Sequence, residues 1–289
     1  MIYLEKLKLL SDRVEMGVIT NEKRTCFSTM YPFKIFPEKQ LEYLEFAPVT
    51  IFYGGNGSGK TTLLNIIAEK TEVIRHSEYN KSAFFEKYTS LCQVYGENIP
   101  PISQILSSDD VFDYVMNMRY LNNNVDFHRE ELFRGYGLQK QKAINEDGYL
   151  RLHGLEDYDR WKDAHEVLKK TQSKFVKERL AKNIDMFSNG ETAMRYFTEH
   201  IDRDALYLLD EPENSLSIKF QIELAEYISA SARFYGCQFI ISTHSPILLS
   251  IDRAKIYDLD SFPVKTKKWT ELENVRAYYN FFKENEDKF

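Results

Sequence analysis

A glycine-rich loop near the start of the chain carries the residue types needed to hold a phosphate group. It reads GGNGSGKTT and follows the apolar run VTIFY at 49–53. The G-x-x-x-x-G-K-T spacing lets backbone N–H groups point at one anion, while the lysine reaches the terminal phosphates and the threonine hydroxyl reaches Mg²⁺. We therefore predict that Thr61 holds Mg²⁺. The nucleotide phosphates are predicted to bind Gly54, Gly55, Asn56, Gly57, Ser58, Gly59, Lys60, Thr61 and Thr62.

Two further polar sites follow apolar runs later in the chain. Asp210 and Glu211 follow ALYLL at 205–209, and His244 comes just after QFIIS at 238–242. The three side chains would share one sheet edge if these runs are parallel strands. Asp210 would then hold Mg²⁺ through its water shell, Glu211 would polarise an attacking water, and His244 would contact the γ-phosphate. Ordinary solvated acids at a strand end are the alternative interpretation of the Asp-Glu pair.

A second small-residue turn also has the character of an anion site. Ser188, Asn189 and Gly190 precede a predicted helix that starts near Glu191, and a helix N-terminus of this kind binds anions. The two loops of one chain cannot surround the same γ-phosphate if they lie on separate lobes. A head-to-tail homodimer would let each chain present residues 188–190 to the ATP of the other.

The elements that position these residues predict an α/β fold. The runs at 49–53, 205–209 and 238–242 are short, apolar and followed by polar loops, as strands of a covered parallel sheet are. KIYDLD at 255–260 is predicted to be a further strand. The segment that starts at Ser217 is predicted to be a helix that ends at Gly236. One face of that helix would carry Ile218, Ile222, Ala225, Ile228 and Ala232.

The middle of the chain has a different character. Residues 76–187 are polar and often helical, and they are predicted to form an inserted, mainly helical lobe that ends at the second loop. The core would then consist of residues 1–75 and 188–289. The tail is predicted to be a closing helix that begins with a capping box from Thr270 to Glu273.

Composition and charge exclude several classes of protein. The net charge of −6 argues against a general nucleic-acid coat protein. The segment from Leu168 to Lys182 nevertheless contains six Lys or Arg and one Glu, so a solvated helix face and an anion or nucleic-acid contact remain alternatives there. The three cysteines are scattered, which is typical of reduced thiols in a cytoplasmic protein. No run resembles a signal peptide or a membrane span, so we expect no direct membrane insertion.

The four motifs together resemble those of ABC-type ATPases. GGNGSGKTT is similar to the Walker A motif of that family, LYLLDE to Walker B, FSNGE to the signature loop, and STHSP to the switch histidine. The order DEPENSLS and then THSPILL is similar to soluble bacterial AAA/ABC ATPases near the RecF, SMC and OLD groups. The resemblance implies a P-loop NTPase fold with an ABC-type core, ATP and Mg²⁺ as cofactors, and ATPase activity.

The resemblance also implies how two chains would share ATP. In that family, ATP is held between Walker A of one subunit and the signature loop of the other. Ser188, Asn189 and Gly190 would therefore act on the nucleotide of a second copy, and residues 213–217 would link the two sites across the homodimer.

This sequence departs from the family pattern at several positions. Phe187, Asn189 and Glu191 stand where transporters usually have Leu, Gly and Gln. No single residue matches the glutamine that senses Mg²⁺. The alternatives for that position are Gln93, Gln104 and the turn at 107–110.

Two other assignments stay open at the level of sequence. Tyr31 and Phe36 are the candidates for stacking on adenine. For the partner, the leading hypothesis is a role in nucleic-acid transactions or anti-phage defence. The alternatives are a regulatory ATPase that switches a protein effector and the nucleotide-binding subunit of a membrane transporter.

Overall fold

The chain consists of two compact units. The computed structural model describes residues 1–24, 26–27, 29–145, 168–180 and 188–288. One unit, the core unit, comprises Met1–Asp113 and Ser188–Phe289, and the other, the inserted unit, comprises Tyr114–Phe187. Phe187 of the second loop lies outside the described residues.

Two sheets form the β structure of the core unit. The strands are β1 (Leu4–Lys8), β2 (Tyr43–Glu45), β3 (Val49–Tyr53), β4 (Gln93–Gly96), β5 (Gln104–Ser107), β6 (Leu206–Asp210), β7 (Gln238–Ser242), β8 (Lys255–Asp258) and β9 (Lys265–Thr266). The larger sheet has six strands in the order β5-β6-β7-β3-β8-β9, and the smaller has three in the order β2-β1-β4. All pairs in the larger sheet are parallel except β8 with β9.

Helices accompany the strands throughout. They are α1 (Asp12–Thr20), α2 (Lys60–Thr71), α3 (Phe85–Leu91), α4 (Ser108–Asn145), α5 (Gln172–Arg179), α6 (Asn189–His200), α7 (Ile218–Phe234), α8 (Pro246–Leu249) and α9 (Glu273–Glu284). None of the helices within the described ranges is both long and apolar enough to span a bilayer.

The parallel sheet confirms the predicted α/β fold and explains why it forms. Every residue of β3 and β7 is buried, which is why both strands read as mainly apolar runs. The register places Asp210 opposite Ser242 and Phe52 opposite the same serine. The carboxyl ends of β6, β7 and β3 therefore meet at one edge of the sheet.

The core unit extends further along the chain than the sequence predicts. Strand β5 pairs with β6 from Gln104 to Ser107, so residues 76–113 belong with the core rather than with the insertion. The predicted boundary at 76 is therefore too early. A strand of four residues between polar turns gives little periodic signal, and only its pairing with a strand 100 residues later places it in the sheet.

The small antiparallel sheet was not predicted, and one side chain joins it to the parallel sheet. The amide oxygen of Gln238 at the start of β7 accepts hydrogen bonds from the backbone N–H groups of Tyr3 (2.8 Å) and Leu4 (2.9 Å). Its NH₂ group donates to the carbonyl oxygen of Leu4 at 2.8 Å. Because Gln238 is fully buried, these bonds satisfy polar groups that water cannot reach.

Two details of the predicted helices are wrong. On α7, Ile228 is buried as predicted, together with Leu224 and Ser231, but Ile218 is 69% exposed and Ile222 is 46% exposed. Tertiary packing thus leaves the first part of the predicted face in solvent. Helix α9 begins at Glu273 without a side-chain cap, so the predicted capping box from Thr270 does not form.

The described part of the inserted unit has its own small apolar cluster. Tyr136 of α4 packs with Phe175 and Val176 of α5. Two basic residues of α5 and its flank are already engaged, since Lys170 forms an ion pair with Glu178 at 2.5 Å and Arg179 lies over the ring of Phe175. Lys169, Lys174 and Lys177 are exposed. Lys182, at the end of the predicted basic segment, lies outside the described residues.

Candidate functional site

The phosphate-binding loop connects β3 to α2 and leaves the helix N-terminus open. Gly59 is the N-cap residue of α2, with φ of 97°, and it offers no side chain to cap the first N–H groups. A Cβ at this position would lie 3.2 Å from Ile35, in a backbone conformation that side chains rarely adopt. The first N–H groups of α2 thus lack a side-chain cap, which leaves this helix N-terminus available to an anionic ligand.

Lys60 turns back over the loop. Its Nζ donates to the carbonyl oxygens of Gly54 at 2.8 Å and Gly55 at 3.1 Å, and it lies 3.4 Å from Oε1 of Glu211. The lysine side chain is only 4% exposed. A buried ammonium held mainly by two carbonyl oxygens can exchange them for phosphate oxygens, which carry full negative charge.

The far side of the loop is fixed by a carboxylate from the end of β8. Oδ2 of Asp260 accepts a hydrogen bond from the backbone N–H of Gly55 at 2.7 Å. The turn after β8 thereby holds the first part of the loop in place. Because β8 pairs with β3, the anchor and the loop belong to the same rigid sheet.

The side chains of Thr61 and Asp210 are in direct contact. The hydroxyl of Thr61 donates to Oδ1 of Asp210 at 3.0 Å, and the hydroxyl of Ser242 makes a second, shorter bond to the same oxygen. Burial raises the pKa of Asp210, and the neighbouring Glu211 adds to this effect. A buried carboxylate next to a hydroxyl is a site that fits Mg²⁺, which prefers oxygen ligands and would neutralise this charge.

Glu211 has an unusual backbone conformation that turns it out of the strand. Its φ of 47° lies in the left-handed region, and its N–H donates to the carbonyl oxygen of Ser242 at 3.0 Å. The side-chain amide of Asn214 donates to Oε2 of Glu211 at 3.1 Å. Such strain at a non-glycine residue is typical of functional sites.

His244 follows β7 and lies next to a buried acid. Its Nδ1 is 3.4 Å from Oε1 of Glu213, and its backbone N–H donates to the same oxygen at 2.9 Å. The His244 side chain is 49% exposed, whereas that of Glu213 is 5% exposed. The amide of Asn274 on α9 donates to the carbonyl oxygen of His244 at 2.9 Å. The backbone of His244 is thus held on both sides while the ring faces open space.

The second loop forms a different kind of helix start. The hydroxyl of Ser188 accepts from the N–H of Glu191 at 3.3 Å, and the Glu191 carboxylate accepts from the N–H of Ser188 at 2.8 Å. This backbone donor lowers the pKa of Glu191. A Cβ on Gly190 would lie 2.8 Å from the ring of Phe220, so the glycine lets α7 pack against the start of α6. The bonds of this capping box join residues within α6 and do not reach the phosphate loop.

A cleft beside Thr61 and Asp210 was not predicted. Its volume is about 470 Å³, and it is lined in part by Thr61, Asp210, Arg75 and Tyr79. The Arg75 guanidinium donates to Oδ1 of Asn65 at 2.7 Å and lies 4.1 Å from the centre of the Tyr79 ring. Burial lowers the pKa of Arg75. Nothing in the local sequence marks this arginine, because only the fold brings it to the site.

The structure distinguishes among the open alternatives from the sequence. Phe36 is fully buried in the core, so the hypothesis that it stacks on adenine is wrong. Tyr31 lines the cleft, and its hydroxyl donates to Thr62 at 3.0 Å. Gln93 lies in the antiparallel sheet, and the Gln104 amide donates to the carbonyl oxygen of His200. The predicted turn at 107–110 is instead the end of β5 and the start of α4, and Ser107 lies beside Asp210, its partner in the sheet register.

Comparisons with solved structures find similarity over most of the chain at low identity. The Smc head domain of Pyrococcus furiosus, bound to the C-terminal domain of ScpA, is 13% identical, with 97% of this chain and 99% of that chain covered and a TM-score of 0.44. The SMC head domain of Thermotoga maritima is 14% identical, with 92% and 99% covered and a TM-score of 0.41. The dimeric ATP-binding cassette MJ0796, bound to ADP and Pi, is 16% identical, with 80% and 90% covered and a TM-score of 0.38.

A family model gives the assignment. No curated protein sequence matches the chain. The model described as "AAA domain, putative AbiEii toxin, Type IV TA system" matches residues 72–250, which is more than half of the chain. The matched segment begins after the phosphate-binding loop and includes Asp210, Glu211 and His244. The resemblance to P-loop ATPases is thereby confirmed, and the chain belongs to this AAA-domain family.

Proposed function

We propose that the protein binds ATP with Mg²⁺ and hydrolyses it to ADP and phosphate. The observation that carries the proposal is the contact of Thr61 with Asp210, 3.0 Å apart, at the edge where the phosphate loop, Glu211 and His244 also lie. A nucleoside triphosphate with its metal requires oxygen ligands for the metal, and uncapped backbone donors and a buried lysine for the phosphates.

Each residue of the site has a distinct role in this proposal. Lys60 and the loop backbone hold the phosphates, and Thr61 and Asp210 hold Mg²⁺, which supplies charge neutralisation at the β- and γ-phosphates. Glu211 is the group that orients and polarises the attacking water, because its carboxylate follows Asp210 directly and lies 3.4 Å from Nζ of Lys60 at the phosphate loop. His244 contacts the γ-phosphate, and its exposed ring can report whether that phosphate is present.

The second loop supports a shared site between two copies of the chain. Residues 188–190 form the start of α6. The capping-box bonds there join Ser188 to Glu191 and do not involve the phosphate loop. In the proposed head-to-tail homodimer, this helix start of one chain faces the γ-phosphate bound by the other. ATP then stabilises the dimer by mass action, and hydrolysis removes the bridge between the chains.

The test of this proposal is the solution mass of the Glu211→Gln variant, measured by light scattering on a sizing column with and without ATP and Mg²⁺. We expect the mass to double only when both are present, because the variant binds ATP but hydrolyses it slowly. Wild-type protein should release phosphate from ATP, and the variant should do so about 100-fold more slowly. A mass that does not respond to ATP would overturn the shared site, and equal rates would overturn the role of Glu211.

We further propose that the dimer drives a conformational change in a partner, in nucleic-acid transactions or in defence. The family description names a putative AbiEii toxin and a TA system, which supports a defence role. The exposed lysines Lys169, Lys174 and Lys177 support contact with nucleic acid. A duplex of DNA or RNA should therefore raise the ATPase rate of the wild type, and Lys174→Glu combined with Lys177→Glu should reduce this stimulation. An unresponsive rate would favour a protein effector.

A further inference from the structure

Glu213 is a buried carboxylate to which the proposed ATPase mechanism gives no role. It lies two residues after Glu211, in a 3₁₀ turn that spans Pro212–Ser215, and it is 6% exposed. A carboxylate in such a position is costly unless hydrogen bonds and a positive partner compensate for the lost water. Its partners therefore indicate what it is for.

The described hydrogen-bond partners of the Glu213 carboxylate all lie on the loop that follows β7. Its Oε1 accepts from the hydroxyl of Thr243 at 2.6 Å and from the backbone N–H of His244 at 2.9 Å. The N–H of Ser245 donates to the Thr243 hydroxyl at 3.0 Å, which extends the same network. Glu213 thus ties the turn after β6 to the loop after β7, the two segments that carry Glu211 and His244.

The imidazole of His244 is the only group with possible positive charge that the described contacts place beside this acid. Nδ1 lies 3.4 Å from Oε1 of Glu213, while the other oxygen, Oε2, is buried without a hydrogen-bond partner among the described residues. A carboxylate at Nδ1 favours a proton on that nitrogen, which leaves Nε2 directed away from the acid. The His244 side chain is 49% exposed, so a ligand can reach the ring.

We propose that Glu213 is the positioning residue for His244. It holds the proton on Nδ1 and fixes the ring so that Nε2 is the nitrogen presented to the γ-phosphate. Because it also belongs to the turn that carries Glu211, it makes the water-orienting acid and the phosphate-sensing ring one connected unit. This assignment rests on the proposed ATPase site, in which His244 contacts the γ-phosphate.

The ring protonation provides a test that does not depend on activity. Histidine-labelled protein is examined by ¹⁵N NMR, with the His244 signals assigned by their loss in His244→Asn. We expect the proton on Nδ1 in the wild type and a shift toward the Nε2-protonated form in Glu213→Ala. The signals of His200, whose Nδ1 lies 2.8 Å from the carbonyl oxygen of Tyr196, should not change and serve as the internal control. The same tautomer in both proteins would overturn the proposal.

Kinetics provide the second test. Glu213→Ala should lower kcat about tenfold, part of the ~100-fold that a positioned acid–base group contributes, without changing the Kd of ATP. Glu213→Gln keeps an acceptor for Thr243 and the His244 N–H, so it should fold normally. Its kcat should lie between those of the wild type and Glu213→Ala. If the alanine variant does not fold, the glutamine variant carries both measurements.

A double-mutant cycle separates positioning from general stabilisation. If Glu213 acts through His244, then Glu213→Gln should have no further effect on the residual rate of His244→Ala. Full additivity of the two losses would overturn the proposal. A wild-type protein that neither binds nor hydrolyses ATP would instead overturn the proposed function, and the tautomer measurement would still decide whether Glu213 orients the ring.

Discussion

Two helix N-termini in the core unit carry a small-residue turn, yet they are built in opposite ways. At the start of α2, Gly59 provides no cap and the buried Lys60 adds a positive charge. At the start of α6, Ser188 and Glu191 satisfy each other's backbone donors and place a carboxylate there. The first therefore favours a phosphate bound by its own chain, whereas two backbone donors of the second are already occupied. The negative charge of Glu191 would oppose a phosphate at the second helix, which suits a contact that forms and is then released.

The largest effect should come from removing the charge at the first helix. Lys60→Ala should weaken ATP binding by about 100-fold or more, because hydrogen bonds from an ammonium to phosphate contribute about 1.5–3 kcal/mol each. Isothermal titration with ATP and Mg²⁺ measures this. Lys70→Ala, near the other end of α2, is the matched control and should bind normally. Normal affinity in the Lys60 variant would mean that this loop is not the nucleotide site.

A bulky residue at the second helix should block assembly and, because it removes the N-cap hydroxyl, also lower the free energy of unfolding by about 1 kcal/mol. Ser188→Arg, placed in the Glu211→Gln background, should bind ATP with unchanged affinity and yet remain a monomer by light scattering, since the long side chain fills the space that a second copy's phosphate needs. Ser11→Arg is the control, because Ser11 is the N-cap of α1 and its side chain makes no capping bond. Dimer formation by the Ser188 variant would contradict the shared site.

The two glycines at these helix starts should differ in why they are needed. Gly190→Ala should lower the free energy of unfolding by about 1–3 kcal/mol, as overpacking does, because the new methyl group meets the ring of Phe220. Urea denaturation measures the loss. Phe220→Leu in the same protein should restore part of it, while Gly59→Ala, strained by its backbone conformation, should gain nothing from that change. Failure of the leucine to rescue Gly190→Ala would show that packing against Phe220 is not the reason for the glycine.

The smallest effect should come from the acid at the second helix. Glu191→Gln keeps an acceptor for the Ser188 N–H but removes a negative charge, so ATP should promote dimer formation about two- to fivefold more tightly. Sedimentation across a range of protein concentrations measures the dimer Kd in the Glu211→Gln background. A weaker dimer would show that the carboxylate assists the contact between chains.

The same acid also predicts a pH dependence of the fold. The N–H of Ser188 lowers the pKa of Glu191, so its contribution to stability is present above the unfolded pKa and is lost as the pH falls through the folded pKa. Wild type should therefore lose stability relative to Glu191→Gln in acid, and the two should differ by a constant amount near neutral pH. Urea midpoints at several pH values test this, and parallel curves throughout would contradict it.

The parallel sheet and the residues that follow its strands could be predicted because each leaves a local mark. A fully buried strand is mostly apolar, as β3 and β7 are, and a phosphate loop needs glycines at fixed spacing. Asp210 and His244 could be placed at one edge of the sheet because each follows an apolar run that was predicted to be a parallel strand. Neither inference needs knowledge of distant contacts.

What could not be predicted depends on pairs far apart in the chain. Strand β1 is held by residues more than 30 positions later, and Gln238 reaches back to Leu4 across 234 residues. Glu213 looks like one more acid in DEPEN until the fold places Thr243 and His244 beside it. The position of Arg75 in the cleft likewise has no signal in the local sequence. The exposure of Ile218 and Ile222 on α7 could not be predicted for the same reason, since the neighbours that decide burial lie elsewhere in the chain.

The strand order has a consequence for how the protein is made. β3, which ends at the phosphate loop, is hydrogen-bonded on its two sides to β7 and β8, and these follow it by almost 190 residues or more. When the ribosome has synthesised the loop, neither β7 nor β8 has yet been made. The emerging β3 therefore has no strand to pair with. The nascent protein can therefore acquire its nucleotide pocket only when translation of the last strands is nearly over, and truncated products should lack it.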